Sequence, residues 1–188
     1  GFMEGEKTEN PLSVVWLSYS VHGNESSSME AAIKTLHTFA DTNNVEQLKW
    51  LEKVVLMIDP CINPDGRDRY ANFHRMTGNL IPDVDATTRE HREPWPGGRT
   101  NHYYHDLNRD WVWQSQQESQ QRLKLYNQWL PHVHVDYHEQ SYNEPYYFAP
   151  AVEPYHELIT PWQREFQGII GDNNAKYFDE RQLLYFRN

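Results

Sequence analysis

Apolar positions along the chain switch between strand-like runs and helix-like spacing. Ser13-Val14-Val15-Trp16-Leu17-Ser18-Tyr19 is short, β-branched and aromatic, and predicts a buried strand. Between Ser28 and Asp41, the residues Met29, Ala32, Ile33, Leu36 and Phe39 recur at three- and four-residue spacing, which predicts an amphipathic helix. Lys53 to Ile58 predicts a second buried strand. From Met76 to Tyr104 the periodicity stops and Pro, Gly, Asn, Asp and Thr dominate, so a long loop is expected, of the kind that is usually functional or disordered. A second helix is expected from Ser115 to Leu130, ended by Pro131, and a third strand from His132 to Tyr137. Pro145 to Pro150 allows a short fourth strand. Glu153 to Phe178 reads as mostly helical, with Pro161 either bending that helix or starting a new one. This alternation predicts an α/β fold: a three-layer α/β/α sandwich around a central mixed, mainly parallel sheet. There are no repeats and no low-complexity tracts.

Composition narrows the functional classes. At 188 residues the chain suits one domain or a large part of one, and residues 1–188 are read as a single unit. Aromatic residues make up 14%, with 7 Trp and 12 Tyr, so rings must supply much of the core or line a pocket. The 17 Lys and Arg against 27 Asp and Glu give a formal net charge of -10, which argues against nucleic acid and against a basic membrane-surface segment. No stretch has the apolar length of a membrane span. No secretory signal is visible, and Gly1-Phe2-Met3-Glu4 does not look like a natural start. The single cysteine, Cys61, rules out an intrachain disulfide and reads as a buried small hydrophobe rather than a nucleophile.

Three polar clusters each follow directly after one of the three predicted strands. They are His22-Gly23-Asn24-Glu25, Asn63-Pro64-Asp65-Gly66 and His138-Glu139-Gln140. Ligands of an open parallel α/β sheet bind at the carboxyl ends of its strands, so the clusters are expected to converge on one edge. A catalytic zinc commonly takes two His and one Glu and keeps one position for water. His22 and Glu25 could form the close pair and His138 the distant third ligand. Taken alone, His22 reads equally as a loop histidine at a helix start, and Glu25 as a first-turn carboxylate favoured by the helix dipole. His132, His134, Asp136 and His138 share a strand face by period two, either as a second metal ladder or, more simply, as polar positions near a strand start. Arg67 and Arg69 read as ion-paired scaffold residues or as cleft lining. Trp95 reads as loop packing or as a pocket wall.

The order HGNE, NPDG, Gly98-Arg99-Thr100-Asn101, Asp106-Leu107-Asn108-Arg109-Asp110-Trp111 and Asp136-Tyr137-His138-Glu139 resembles the zinc carboxypeptidase family, which contains carboxypeptidases A and B. The resemblance runs from about Val14 to Gln140. It implies a phosphorylase/hydrolase-like fold, a Zn2+ cofactor held by His22, Glu25 and His138, and a hydrogen bond from His22 to Asp106. It also implies that Asn108 and Arg109 hold the free C-terminal carboxylate of a peptide substrate, and that Arg99 polarises the scissile carbonyl. The expected activity is that of a zinc metallocarboxypeptidase. The family's general base is a glutamate on a later strand, and the 50 residues after His138 contain nothing resembling that segment. The domain therefore reads as incomplete at both ends, and the chain as weakly active or inactive. Glu139 could stand in as base, but reads better as a loop carboxylate. Two alternatives remain open: an N-acyl-amino-acid deacylase of the related family, and a non-catalytic peptide- or metal-binding module. The intact NPDG favours the peptidase. The resemblance suggests a bacterial protein acting outside the cytoplasm.

Overall fold

The structure is a computed structural model that describes residues 11–141 and 143–187. The chain forms two compact units, one ending at Glu139 and the other beginning at Gln140. In the first unit, strand β1 (Ser13–Tyr19) lies between β2 (Val54–Asp59) and β3 (Val133–Tyr137), and both pairings are parallel. The fold is α/β. Helix α1 (Ser27–Ala40) and the short α2 (Val45–Leu51) connect β1 to β2, while α3 (Pro64–Thr77) and α4 (Gln117–Trp129) lie between β2 and β3. Stepping outward from β1 to β2 and then back across to β3 with right-handed crossovers puts the two connections on opposite faces.

Side chains confirm the two faces. On one, Leu17 and Tyr19 pack with Ala32 of α1, and Val15, Leu56, Ile58 and Val135 close the cluster. Tyr19 stacks on Tyr137 with ring centroids 4.4 Å apart. On the other face Trp16 meets Tyr126 of α4 at 5.6 Å. β1 is buried because its alternate side chains feed both layers, as the β-branched and aromatic run predicts. The expected apolar stripe of α1 is only partly used. Ala32 is fully buried, whereas Ile33 and Leu36 are 57% and 44% exposed.

Helix α3 was not expected from periodicity, because its sequence is strongly polar. Its start is nonetheless encoded: Asn63 accepts a hydrogen bond from Gly66 N (2.9 Å), and Pro64 occupies the first turn. The expected long loop is present. Between α3 and α4 the described residues form only turns and two 3₁₀ segments, Arg89–His91 and Leu107–Arg109. Leu80 and Val84 stand fully exposed at its tip.

The second unit holds α5 (Pro161–Glu180) and a two-stranded parallel pair, β4 (Tyr146–Tyr147) with β5 (Tyr185–Phe186). Pro161 starts the helix rather than bending it. Thr160 and Gln163 form a reciprocal capping box, which accounts for the absence of helix from Glu153 onward. Phe178 packs against Tyr146, Phe148 and Tyr185. No described helix is long and apolar enough to cross a membrane.

Candidate metal centre

The three clusters do converge at the carboxyl ends of the strands. After β1 the chain turns at His22, which is buried, and Glu25 precedes α1 by two residues. Gly23 is required here by close approach: a Cβ at that position would lie 2.1 Å from the backbone nitrogen of Arg67. The HGNE turn is thus pressed directly onto the NPDG helix start. From β3, His138 reaches the same point. His22, Glu25 and His138 each offer a ligand atom, and these atoms lie within 4.8 Å of one another.

The contacts around Glu25 are specific. Its Oε1 is 2.6 Å from His22 Nδ1, and its Oε2 is 3.1 Å from His138 Nδ1 and accepts from Glu139 N at 3.0 Å. Burial pushes the Glu25 carboxyl up, but the hydrogen bonds from the two imidazoles and the Glu139 amide outweigh it, and the pKa falls to about 2. The remaining ring nitrogens face two aspartates: His22 Nε2 lies 3.2 Å from Asp106 Oδ1, and His138 Nε2 lies 3.0 Å from Asp136 Oδ2. Hydrogen bonds to Asp136 and Glu25 raise the His138 pKa to about 9.

This donor set fits a zinc ion. Two imidazole nitrogens and a carboxylate oxygen are a common catalytic zinc set, and tetrahedral ligand atoms on bonds of about 2.1 Å stand roughly 3.4 Å apart. The imidazole–carboxylate contacts of 2.6 and 3.1 Å would open slightly to reach that spacing, and all three ligand atoms already lie within 4.8 Å of one another. Each imidazole already carries a carboxylate on its far nitrogen, which fixes the tautomer that presents Nδ1 to a metal.

The arginines are held by a separate set of bonds. Arg99 Nε and Nη2 grip Asp106 Oδ2 at 3.0 and 2.9 Å, which ties Arg99 to His22 through one carboxylate. Asp106 also caps the 3₁₀ turn by accepting from Asn108 N (2.9 Å), so Asn108 and Arg109 are presented from a fixed turn. The Arg109 guanidinium is exposed and bonds to the Asn108 carbonyl (3.1 Å), while Asp110 turns inward to Ser115 and Gln116. Its cation is free of any carboxylate partner among the described residues.

Further residues hold the segment carrying Arg99. Asn63 Nδ2 donates to the Arg99 carbonyl (3.1 Å), and Arg69 donates to the carbonyls of Gly97, Thr100 and Asn101. Arg67 is ion-paired with Glu30 (2.7 Å), as expected, but Arg69 serves main-chain carbonyls instead of an acid. Trp95 is 82% exposed and packs on Tyr104. Cys61 is partly buried, and burial pushes its thiol pKa up, which suits a packed residue better than a nucleophile. His132 accepts from Val14 N, and His134 bonds Ser18, so the period-two ladder is a hydrogen-bonded strand face of which only His138 joins the metal set. Asp136 was read from sequence as part of that ladder and of the Asp136–Glu139 motif, without a role of its own; the Asp-x-His spacing was the available signal for its contact with His138.

Two imidazoles and a carboxylate at the carboxyl edge of a parallel α/β sheet define an α/β protein with a candidate metal site. The sequence model of the zinc carboxypeptidase family matches residues 4–145, about three-quarters of the chain, and the protein belongs to that family. The family is zinc-dependent and acts on peptides. No curated protein matches the chain.

Proposed function

We propose that His22, Glu25 and His138 hold a zinc ion and that the site is that of a metallocarboxypeptidase. The convergence of these three ligand atoms, within 4.8 Å of one another, carries the reading. Zinc bound there supplies a Lewis acid for the peptide carbonyl and a water of lowered pKa. Arg109, with Asn108 beside it, receives the free C-terminal carboxylate, and the charge-assisted fork favours a free acid over an amide. Arg99 shares Asp106 with His22 and with the turn that carries the clamp, and donates to the scissile carbonyl oxygen as negative charge develops on it.

The carboxylates around the site support a separation of binding from turnover. Asp106 serves His22, Arg99 and Asn108 N. Asp136 serves His138 and Ser18. Glu93 accepts from Asn24 and Gly98 N. Glu139 Oε1 accepts from Ser27 N (3.3 Å) at the start of α1, where a helix needs an acceptor. Asp106, Asp136 and Glu93 are thus engaged by donors of the site, and Glu139 is turned towards the start of α1; a general base typically contributes about 10²- to 10⁴-fold. The zinc-loaded 188-residue chain is expected to bind a peptide with a free C-terminus while releasing its terminal residue near the background rate. Residue release from a peptide panel, alongside calorimetric peptide binding, tests both halves. Rapid release abolished by Glu139→Gln makes Glu139 the base and ends the separation; failure to bind zinc ends the metallopeptidase reading.

A further inference from the structure

A continuous polar chain runs behind His138, on the sheet face that packs against α4. Ser18 and Asp136 are register partners on β1 and β3, and Asp59 on β2 flanks Ser18 from the other side. The Ser18 side chain is completely buried. Its hydroxyl lies 2.9 Å from Asp136 Oδ1 and 2.8 Å from His134 Nε2. A hydroxyl has one proton to give, and an ionised carboxylate can only accept, so Ser18 donates to Asp136 and accepts from His134 Nε2–H. Asp136 is then fixed through Oδ1, and its other oxygen, Oδ2, meets His138 Nε2 at 3.0 Å. From α4, the buried Arg122 stacks its guanidinium 3.8 Å above the Trp111 ring and lies in the field of both Asp59 and Asp136. Arg122 therefore balances both acids, while Asp136 keeps its bonds to Ser18 and His138.

We propose that Ser18 and Asp136 are positioning residues for the third metal ligand: the central strand, through Ser18, aims the Asp136 carboxylate that orients the His138 imidazole. The inference rests on the reading of His138 as a zinc ligand. His138 follows β3 in an exposed position and needs an anchor, whereas His22 is buried in the β1 turn and is held there by Asp106. Asp136 holds Nε2–H, which leaves Nδ1 as the only ring nitrogen able to bind metal. Ser18 acts at one remove, through Asp136 alone.

The test is zinc affinity by competition with a chromogenic chelator, for the wild type, Ser18→Ala, Asp136→Asn, Asp136→Ala and the double variant Ser18→Ala/Asp136→Ala. Thermal unfolding of each metal-free protein serves as the structural control, and ¹⁵N NMR of the zinc-loaded forms reads the His138 tautomer. Asp136→Ala is expected to weaken zinc binding by about 10- to 100-fold, the range found for outer carboxylate partners of metal-binding histidines. Ser18→Ala should cost less, about threefold to tenfold, and nothing further once Asp136 is gone, because a relay leaves no effect after its target is removed. Asp136→Asn keeps the shape, and carries the test if the alanine variant unfolds. Wild-type affinity in Ser18→Ala and Asp136→Asn, with wild type binding zinc, overturns the inference and leaves the ligand assignment standing. Equal losses from Ser18→Ala with and without Asp136 also overturn it, since Ser18 would then act by another route. A wild type that binds no zinc fails at the ligand assignment itself, and the inference falls with it.

Discussion

Replacing Asp110 by asparagine removes a charge and leaves the shape almost unchanged. Asp110 is 5% exposed and sits directly after Arg109, the proposed clamp residue. Its Oδ1 accepts from Ser115 N (2.9 Å) and Ser115 Oγ (2.7 Å), and its Oδ2 accepts from Gln116 N (2.9 Å), so it serves as the anion at the start of α4. Burial works against the charge, but the Ser115 hydroxyl, the nearby Ser119 hydroxyl and the two amides overcome it, and the pKa falls from 3.8 to about 2. Such a fall corresponds to roughly 2.5 kcal/mol of stability at neutral pH. Because the α4 start lies near the surface, about 2 kcal/mol is the better expectation. A depressed acid pKa stabilises above the unfolded value and loses that contribution as pH falls through the folded value. The contribution is therefore complete by about pH 5, and falls to roughly 1 kcal/mol at pH 3. Urea unfolding of wild type and Asp110→Asn at both pH values measures it. A gap below about 0.5 kcal/mol at pH 7, or one independent of pH, refutes the assignment of Asp110 as an ionised cap.

Four further outcomes are expected. Zinc must displace a proton from His138, whose pKa is raised to about 9, so affinity should rise roughly tenfold per pH unit between 7 and 9. Calorimetry in buffers of different ionisation heat should register about one proton released, and a flat pH profile would contradict this. The same raised pKa favours the metal-free fold below pH 6.5 and that advantage disappears as pH climbs towards 9, which thermal unfolding across the range reads directly. Gly23→Ala sets a methyl against the Arg67 and Gly66 backbone, 2.1 and 2.2 Å away, and should cost about 3 kcal/mol together with zinc binding. A loss below about 1 kcal/mol would mean that the turn is not fixed against α3. Arg109→Ala should abolish a preference of about tenfold for a free-acid peptide over its C-terminal amide, measured by calorimetry on the zinc-loaded protein, and an unchanged preference would place the clamp elsewhere.

What could be read from sequence follows the range of each interaction. Ser13 to Tyr19 was legible because a β-branched, aromatic run has few alternatives to a buried strand, and the structure places β1 there to the residue. The candidate ligand residues were legible from motif order, and the structure brings them together. Helix α3 was hidden because its face is built from Arg67, Asp68, Arg69 and Asn72 rather than an apolar stripe, and its Asn-Pro start was read as a polar cluster. The cap of α1 was invisible for a different reason: its first amide is served by Glu139, more than a hundred residues away. The Asp136 contact depends on Ser18 across a strand pairing, which no local pattern encodes. Arg69 was expected to find an acid and instead gathers three carbonyls, a choice made by the path of the Gly97–Asn101 segment.

The exposed loop tip makes the first unit divisible. Asn79 and Asp83 both donate to Glu90 around Leu80 and Val84, while from Glu93 onward the chain is pinned to Asn24, Asn63 and Arg69. A single cut between residues 80 and 84 would sever little besides the backbone. It would leave His22 and Glu25 on one fragment, with β1, β2 and α3, and His138 on the other, with α4 and β3. The two pieces would share the β1–β3 pairing and, under the proposed ligand set, one metal ion. Zinc would then act as a staple between them, and the chain could be rebuilt as a two-part sensor whose reassembly reports free zinc.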